Sequence, residues 1–356
     1  MLTEHYPKTE RIIHELRREI ADGIHGGLGA PFMTTRYLMT YKNVSLKTAH
    51  RILGQLCSEG VLEVCGKRYR IKSANGEQEK RLIGLLLTRL DNPYFSNLAS
   101  ALEEIVRMRG CDLAIAVSNY DGELEREQVN NFLRNGVSGI IACPWSLSAN
   151  ESLYASLSVP LVLIGRTLPR VKTDAVLVDN LTAAKDAAKH LLSVPCEEFL
   201  YIGPRDLPDD QRLAGFREEL ERAGKPLPRE HIFLLSDERN IPERLRDLLL
   251  KKSKAGVRVG VFCYHDLYAA RFIQLCHEEK IAIPDDCAVC GFDNLPTASA
   301  IWPPLTSVAY PMREIASLAA DMLFGRMDGT RSGIGEIKLL APELIKRSSS
   351  KKIKQQ

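Results

Sequence analysis

From Leu82 onward, short apolar runs alternate with amphipathic helical segments, and this alternation constrains the fold more than any other feature of the chain. LIGLLL, DLAIAV, GIIAC and LVLIG are separated by helical periodicity over 98–109 and 124–134. AVLVDN, FLYIG, IFLLS, VGVFC and CAVCGF then interleave with helical segments at 183–192, 213–223, 242–251 and 267–278. Continuous apolar strands joined by helices specify parallel sheets covered on both faces. That many strands exceed one comfortable open sheet. The expected body is therefore α/β with two lobes of similar size, with crossovers near residues 165, 295 and 330. Ligands bind outside the carboxyl ends of such strands, which places a cleft between the lobes.

The first 72 residues follow a different pattern. Ile12, Ile13, Leu16 and Ile20 repeat at helical spacing before the stop at Gly23, and a second short helix is predicted over 34–40. A turn at Lys42 and Asn43 leads to a third helix capped by Ser45, with Ala49, Ile52, Leu53 and Leu56 on one face and Gly60 at its end. VLEVCGKRYRIK reads as two strands around Gly66 and Lys67. The unit is a three-helix core with a β-wing. Residues 73–81 (SANGEQEKR) carry no large apolar side chain and read as a solvated linker. The body is expected over 82–348, followed by a short, basic, disordered tail at 349–356.

The whole chain has 48 basic and 45 acidic residues, too even a balance for a polybasic protein. The distribution is uneven, however. Residues 1–72 hold 12 basic and 7 acidic side chains and residues 346–356 hold 5 basic and none acidic, so the rest is net negative. A basic head on an acidic body points to two different partners. From Thr34 to Lys72, eight basic residues stand against Glu59 and Glu63, an excess suited to phosphates. The third helix leaves Ser45, Leu46, Lys47, Thr48, His50 and Arg51 for its outer face, the side that enters a major groove.

Other function classes find little support. The longest apolar runs are too short to span a bilayer, and the opening MLTEHYPKTERIIHELRRE is charged and amphipathic where a secretory signal would be apolar, so a cytoplasmic protein is expected. Nine cysteines lie mostly in apolar segments, as reduced core residues do. Cys287 and Cys290 form a C-x-x-C, but within a strand their side chains point to opposite faces, which argues against a metal or redox site. No P-loop, nucleophile elbow, H-E-x-x-H or dinucleotide fingerprint is present, and the eight histidines are scattered. Neither enzymatic activity nor a cofactor is expected.

Residues 5–72 resemble the winged helix-turn-helix of the GntR family of bacterial regulators. The matching stretches are MTTRYLM, with Thr34, Arg36 and Leu38, and VSLKTAHRIL, with Val44, Ser45, Thr48 and Leu53. The resemblance implies DNA contacts from Thr34, Arg36, Ser45, Lys47, Thr48, His50, Arg51, Lys67 and Arg68. Leu46 and His50 stand where that family usually has Arg, and the family's Pro is displaced to Pro31.

Residues 82–348 are similar to the effector domain of LacI/GalR-type repressors, related to periplasmic sugar-binding proteins. The markers are LTRLDNPYFSNL, VLVDN, RLAGF, FCYHDLYA, IPDDCAVCGFDN and PPLTSVAYP leading to LLAPELIKRSS. Read from their chemistry alone, Arg212 offers a forked donor, Asp293 accepts from vicinal hydroxyls, and Asn92 and His265 add a donor and an acceptor. Tyr94, Phe95 or Trp145 can provide an apolar floor for a sugar ring. The resemblance assigns Asn92, Tyr94, Phe95, Arg212 and Asp293 the same roles and adds Arg166 at the lobe crossover. Gly165 and His265 replace an Asp and an Asn usual in the family, pointing to a modified, unusual or anionic sugar. Trp302 is expected to pack in the return between lobes. The resulting expectation is a homodimeric, DNA-binding repressor controlled by a sugar-like effector. The rival reading is a cytoplasmic sugar-binding protein whose head is a protein-interaction module.

Overall fold

The computed structural model describes residues 8–66, 68–73, 81–145, 150–205, 207, 210–236 and 241–351. Lys67, most of the expected linker and the last five residues lie outside the described residues. The chain divides into two compact units, 1–81 and 82–356.

The first unit consists of α1 (Lys8–Ala21), α2 (Thr35–Lys42), α3 (Leu46–Ser58), β1 (Leu62–Cys65) and β2 (Arg68–Ile71). Thr34 caps α2 by accepting from the Tyr37 N–H, and Ser45 caps α3 by accepting from the Thr48 N–H at 3.2 Å. Between the helices Asn43 takes a left-handed conformation that closes the turn. Ile12, Leu16, Ile20, Leu38, Ile52, Leu53 and Leu56 fill one core beneath the wing, and β1 pairs antiparallel with β2 from Leu62↔Ile71 to Cys65↔Arg68.

The second unit begins with β3 (Leu82–Leu87), α4 (Pro93–Met108), β4 (Asp112–Val117), α5 (Gly122–Arg134), β5 (Gly139–Ala142), α6 (Glu151–Ala155), β6 (Leu161–Ile164) and β7 (Asp174–Val178). It continues with α7 (Asn180–Leu192), β8 (Glu198–Pro204), α8 (Gln211–Arg222), β9 (Ile232–Leu235), α9 (Glu243–Lys254), β10 (Val259–Cys263), α10 (Asp266–Glu278), β11 (Cys287–Asp293), α11 (Pro296–Ala300) and β12 (Thr306–Ala309). It closes with α12 (Met312–Met327), β13 (Ile337–Leu340) and β14 (Glu343–Ile345). Two six-stranded sheets result, ordered β13-β7-β6-β5-β3-β4 and β14-β12-β11-β10-β8-β9. All pairs are parallel except β12 with the short edge strand β14.

The crossovers differ from those expected. The chain leaves the first lobe after β7 at Asp179, returns after β12 at Tyr310, and leaves again between β13 and β14. Near 165 it turns back into the same sheet, where β6 pairs β7 from Val162↔Asp174 to Ile164↔Val176. Near 295 it only connects β11 to its neighbour β12. Near 330 it lies within the first lobe, where Arg326 clamps Asp174 with bonds of 2.8 and 3.0 Å. Alternation of apolar runs reveals strands but not which sheet each one joins, because pairing is a tertiary choice.

Two further corrections concern the second lobe. Ser349 and Ser350, expected in a disordered tail, are fully buried. The Ser349 hydroxyl donates to the Val289 carbonyl at 2.7 Å, and Ser350 pairs with His190 at 2.7 Å. Hydroxyls enter a core once hydrogen-bonded, which polarity along a sequence does not reveal. Trp302, expected to pack, is 76% exposed. Cys287 and Cys290 point to opposite faces of β11: Cys287 joins the core with Phe272 and Leu275, Cys290 the core with Phe216 and Phe262.

Candidate functional site

In the head, the outward residues of α3 form a polar, cationic face. Ser45, Leu46, Lys47, His50 and Arg51 are exposed, as are Thr34 and Arg36 at α2 and Arg68 in the wing; Thr48 is half-buried. Thr34 and Ser45 are both engaged as caps, and the Ser45 and Thr48 hydroxyls lie 2.9 Å apart. Arg51 bends back to donate to the Thr9 hydroxyl on α1, so it ties α3 to α1 as well as carrying charge. Lys67 lies outside the described residues.

In the body, the polar centre lies where the crossovers meet the strand ends of the second lobe. Arg212, in the first turn of α8, is only 7% exposed. Its guanidinium packs 3.8 Å from the Phe292 ring centroid and 4.2 Å from that of Tyr264, and donates to the Tyr264 carbonyl and to the Tyr310 hydroxyl at 2.9 Å. Asp293 lies 3.5 Å away. Burial pushes its carboxyl up to about 7, against the pull of Arg212. The Tyr310 hydroxyl in turn donates to Asn180 Oδ1 at 2.8 Å. One hydrogen-bonded chain thus joins α8 to both the first crossover, at Asn180, and the second, at Tyr310.

The loop carrying Asp293 is held under strain. Asp293 and Asn294 have φ of 96° and 48°, a region side chains enter at a cost of about 1–3 kcal/mol. Asp266 fixes the loop: its carboxylate accepts from the Leu295 N–H at 2.7 Å and the Ser307 hydroxyl at 2.6 Å, and burial raises it to about 6. A side chain at Gly291 would collide with that carboxylate, which accounts for the glycine of the G-F-D segment. His265 caps α10 through Nδ1, which accepts from the Tyr268 N–H at 3.4 Å. Burial and the neighbouring Arg212 hold it down to about 3, so the ring is neutral and its Nε2–H is a donor.

The first lobe contributes aromatic surface. Tyr94 stands 5.1 Å from Tyr310 and 4.9 Å from Phe95, while Phe95 packs into the lobe core. Asn92 accepts from the Tyr94 N–H at 3.0 Å and starts α4 with Pro93 at the first turn, five residues earlier than predicted. Its side-chain oxygen is therefore a helix cap. Trp145 is held at both ends: its N–H donates to buried Glu125 at 2.7 Å and its carbonyl accepts from Arg166 at 2.8 Å. Tyr120 meets its indole edge-on at 4.5 Å. Gly165, before Arg166, has φ of 84° with open space around it, so backbone conformation is what favours glycine there.

The structure thus brings Arg212, Asp293, His265 and Tyr94 together, turns Asn92 and Phe95 to local structure, and sets Trp145 with Arg166. Tyr310, Asn180, Tyr264 and Asp266 were not singled out from sequence, although VAYP, VLVDN and FCYHD contain them. A cavity of about 350 Å³ opens beside this cluster, lined by Asn97 and Glu104 of α4, Asp293 at the end of β11 and Leu295 just beyond it, and Tyr310 and Arg313. Asp293 and Tyr310 line it, whereas Arg212, His265 and Tyr94 do not. Among the described residues no helix is long and apolar enough to cross a membrane.

Residues 188–350 match the periplasmic binding protein-like domain family. The chain is 29% identical over 282 residues to the HTH-type transcriptional regulator DegA of Bacillus subtilis, covering 76% of this chain and 80% of that one. It is 26% identical over 356 residues to the arabinose metabolism transcriptional repressor of Geobacillus stearothermophilus, covering 95% and 97% and so most of the head. In fold it is similar to a periplasmic binding protein/LacI transcriptional regulator from Alkaliphilus metalliredigens complexed with D-xylulofuranose, with a TM-score of 0.65, 21% identity, and 76% and 99% of the chains covered. The chain is a transcriptional repressor governed by a small molecule, similar in sequence and fold to LacI-type regulators, with a body of periplasmic-binding-protein-like fold.

Proposed function

We propose that residues 8–72 are a GntR-type winged head that reads operator DNA, and that the effector is a sugar or sugar derivative bound between the lobes at Arg212, Asp293, His265, Tyr94, Trp145 and Arg166. The observation that carries this reading is the chain from Asp293 through Arg212 and Tyr310 to Asn180. Sugar hydroxyls replace its internal partners well, since a forked donor and a carboxylate side by side bind vicinal diols. Arg212 is enclosed by rings, so a ligand that reaches it parts Tyr264, Phe292 and Tyr310 and shifts the crossovers. Any such shift that alters DNA affinity obliges DNA to alter ligand affinity by the same factor.

The repressor acts as a homodimer, because two heads on one duplex give the affinity that one alone lacks. Trp302 is an exposed aromatic of the kind that anchors subunit contacts. A thermal-shift screen of the full chain against neutral sugars, uronates and sugar phosphates tests the effector assignment. A ligand at 100 times its Kd adds about 2.7 kcal/mol. The expected result is a clear shift with one compound that is absent in Arg212→Ala. No shift with any compound, or an equal one in the variant, contradicts the site.

A further inference from the structure

Leu46 holds the first position of α3, directly after the Ser45 cap, and is 54% exposed. It lies outside the head core, which takes Ala49, Ile52, Leu53 and Leu56 from the same helix. Its neighbours on the outer face of α3 are polar and cationic: Lys47, His50 and Arg51 are all exposed. Leu46 and His50 sit one turn apart on one flank of the outer face, Lys47 and Arg51 one turn apart on the other. A leucine there is outside the core of the head and makes no hydrogen bond, so on a cationic helix face it is the one apolar side chain placed to pack on an apolar group of a bound partner.

A B-DNA major groove offers one apolar group along its base edges, the C5-methyl of thymine, and the first-turn residues of a recognition helix are those that reach base edges. We propose that Leu46 is a specificity-determining residue that selects an A·T pair by packing on the thymine methyl. This rests on the reading of the head as a DNA-binding unit. The neighbouring Lys47 and Arg51 then hold phosphates and position the helix, and contribute affinity without sequence preference.

The test starts from duplexes that the full chain enriches out of a random library at fixed salt. Each thymine of the enriched site is replaced in turn by deoxyuridine, which keeps the base pair and removes only the methyl. One thymine is expected to respond with about four-fold weaker binding, the worth of one buried methyl-sized group. In L46A the same replacement is expected to cost nothing further, the signature of direct coupling. An equal loss in the wild-type chain and L46A, or an enriched site in which no thymine responds, overturns the assignment but leaves DNA binding by the head intact. Failure to enrich any duplex overturns both. The uridine scan on the wild-type chain needs no variant, so a folding defect in L46A does not decide the outcome.

Discussion

The outer face of the head and the centre of the body both rely on basic side chains, in opposite settings. Arg36, Lys47 and Arg68 stand in solvent, whereas Arg212 is enclosed by Phe292, Tyr264 and Tyr310 and shares its charge with buried Asp293. Solvated charges act nearly independently and are screened by salt. Enclosed charges act as one interlocked unit, because losing one partner strands the others. Substitutions on the head should therefore be graded and salt-sensitive, and those in the cleft abrupt and pH-sensitive.

Arg212→Ala should have the largest effect. It leaves a buried carboxyl and the Tyr310 hydroxyl without their donor, at a cost near the lower end of the usual range, about 3 kcal/mol, because Asp293 can take up a proton. Denaturant unfolding of the body measures this; a loss below about 1 kcal/mol would place Arg212 with the solvated charges of the head.

The pH dependence sharpens the same contrast. Asp293 titrates near 7 when folded against 3.8 unfolded, so its contribution is fully present below about pH 4 and is lost as pH rises through 7. His265, held down to about 3 against 6.5, runs the other way: its contribution is fully present above 6.5 and lost as pH falls. In Asp293→Asn the first dependence disappears. The stability gap between wild type and variant should then move in favour of the wild type as pH falls from 7 to 4; a flat gap would refute the buried state of the carboxyl.

On the head, Lys47→Ala should weaken binding to all duplexes alike and lower the salt slope by about 0.9, one phosphate contact, leaving the unfolding of the body unchanged. Binding titrations across a salt series check this, and an unchanged slope would remove Lys47 from the phosphate contacts. Gly54 is the smallest test. It lies mid-α3, exposed, with open space where a methyl group would stand, so no packing within the head explains a glycine there. Gly54→Ala should stabilise the head by about 0.8–1 kcal/mol, yet weaken DNA binding if the helix lies close against the duplex. A gain in both would show that nothing approaches that face.

How much of this was legible in sequence depended on whether a signal was local. Ser45, Asn43 and Gly60 punctuate the head through their own backbone preferences, and the wing follows from a turn at Gly66. Apolar runs revealed β3 to β11 for the same reason, but not the short strands β12, β13 and β14. The crossovers at Asp179, Tyr310 and 341–342 depend on which sheet each strand joins, and no residue near them carries that information locally. In the cleft, Asp293 stood out at the end of an apolar strand and Arg212 at the start of a helix. Tyr310, Asn180 and Asp266 did not, because each matters through partners far along the chain: Tyr310 bonds Arg212 and Asn180, and Asp266 bonds Ser307 and Leu295. Asn92 shows the converse, a residue expected in the ligand site whose nearest duty is a local helix cap.

The most direct test of the account is the affinity of the full chain for an enriched operator duplex, measured at one salt concentration with and without each sugar that raises the melting temperature. The account predicts that at least one such sugar changes DNA affinity by about 5- to 150-fold, and that Arg212→Ala abolishes the change while retaining affinity for DNA alone. A sugar that stabilises the body and leaves DNA affinity unaltered would contradict it, showing that the head and the sensor do not work as one switch.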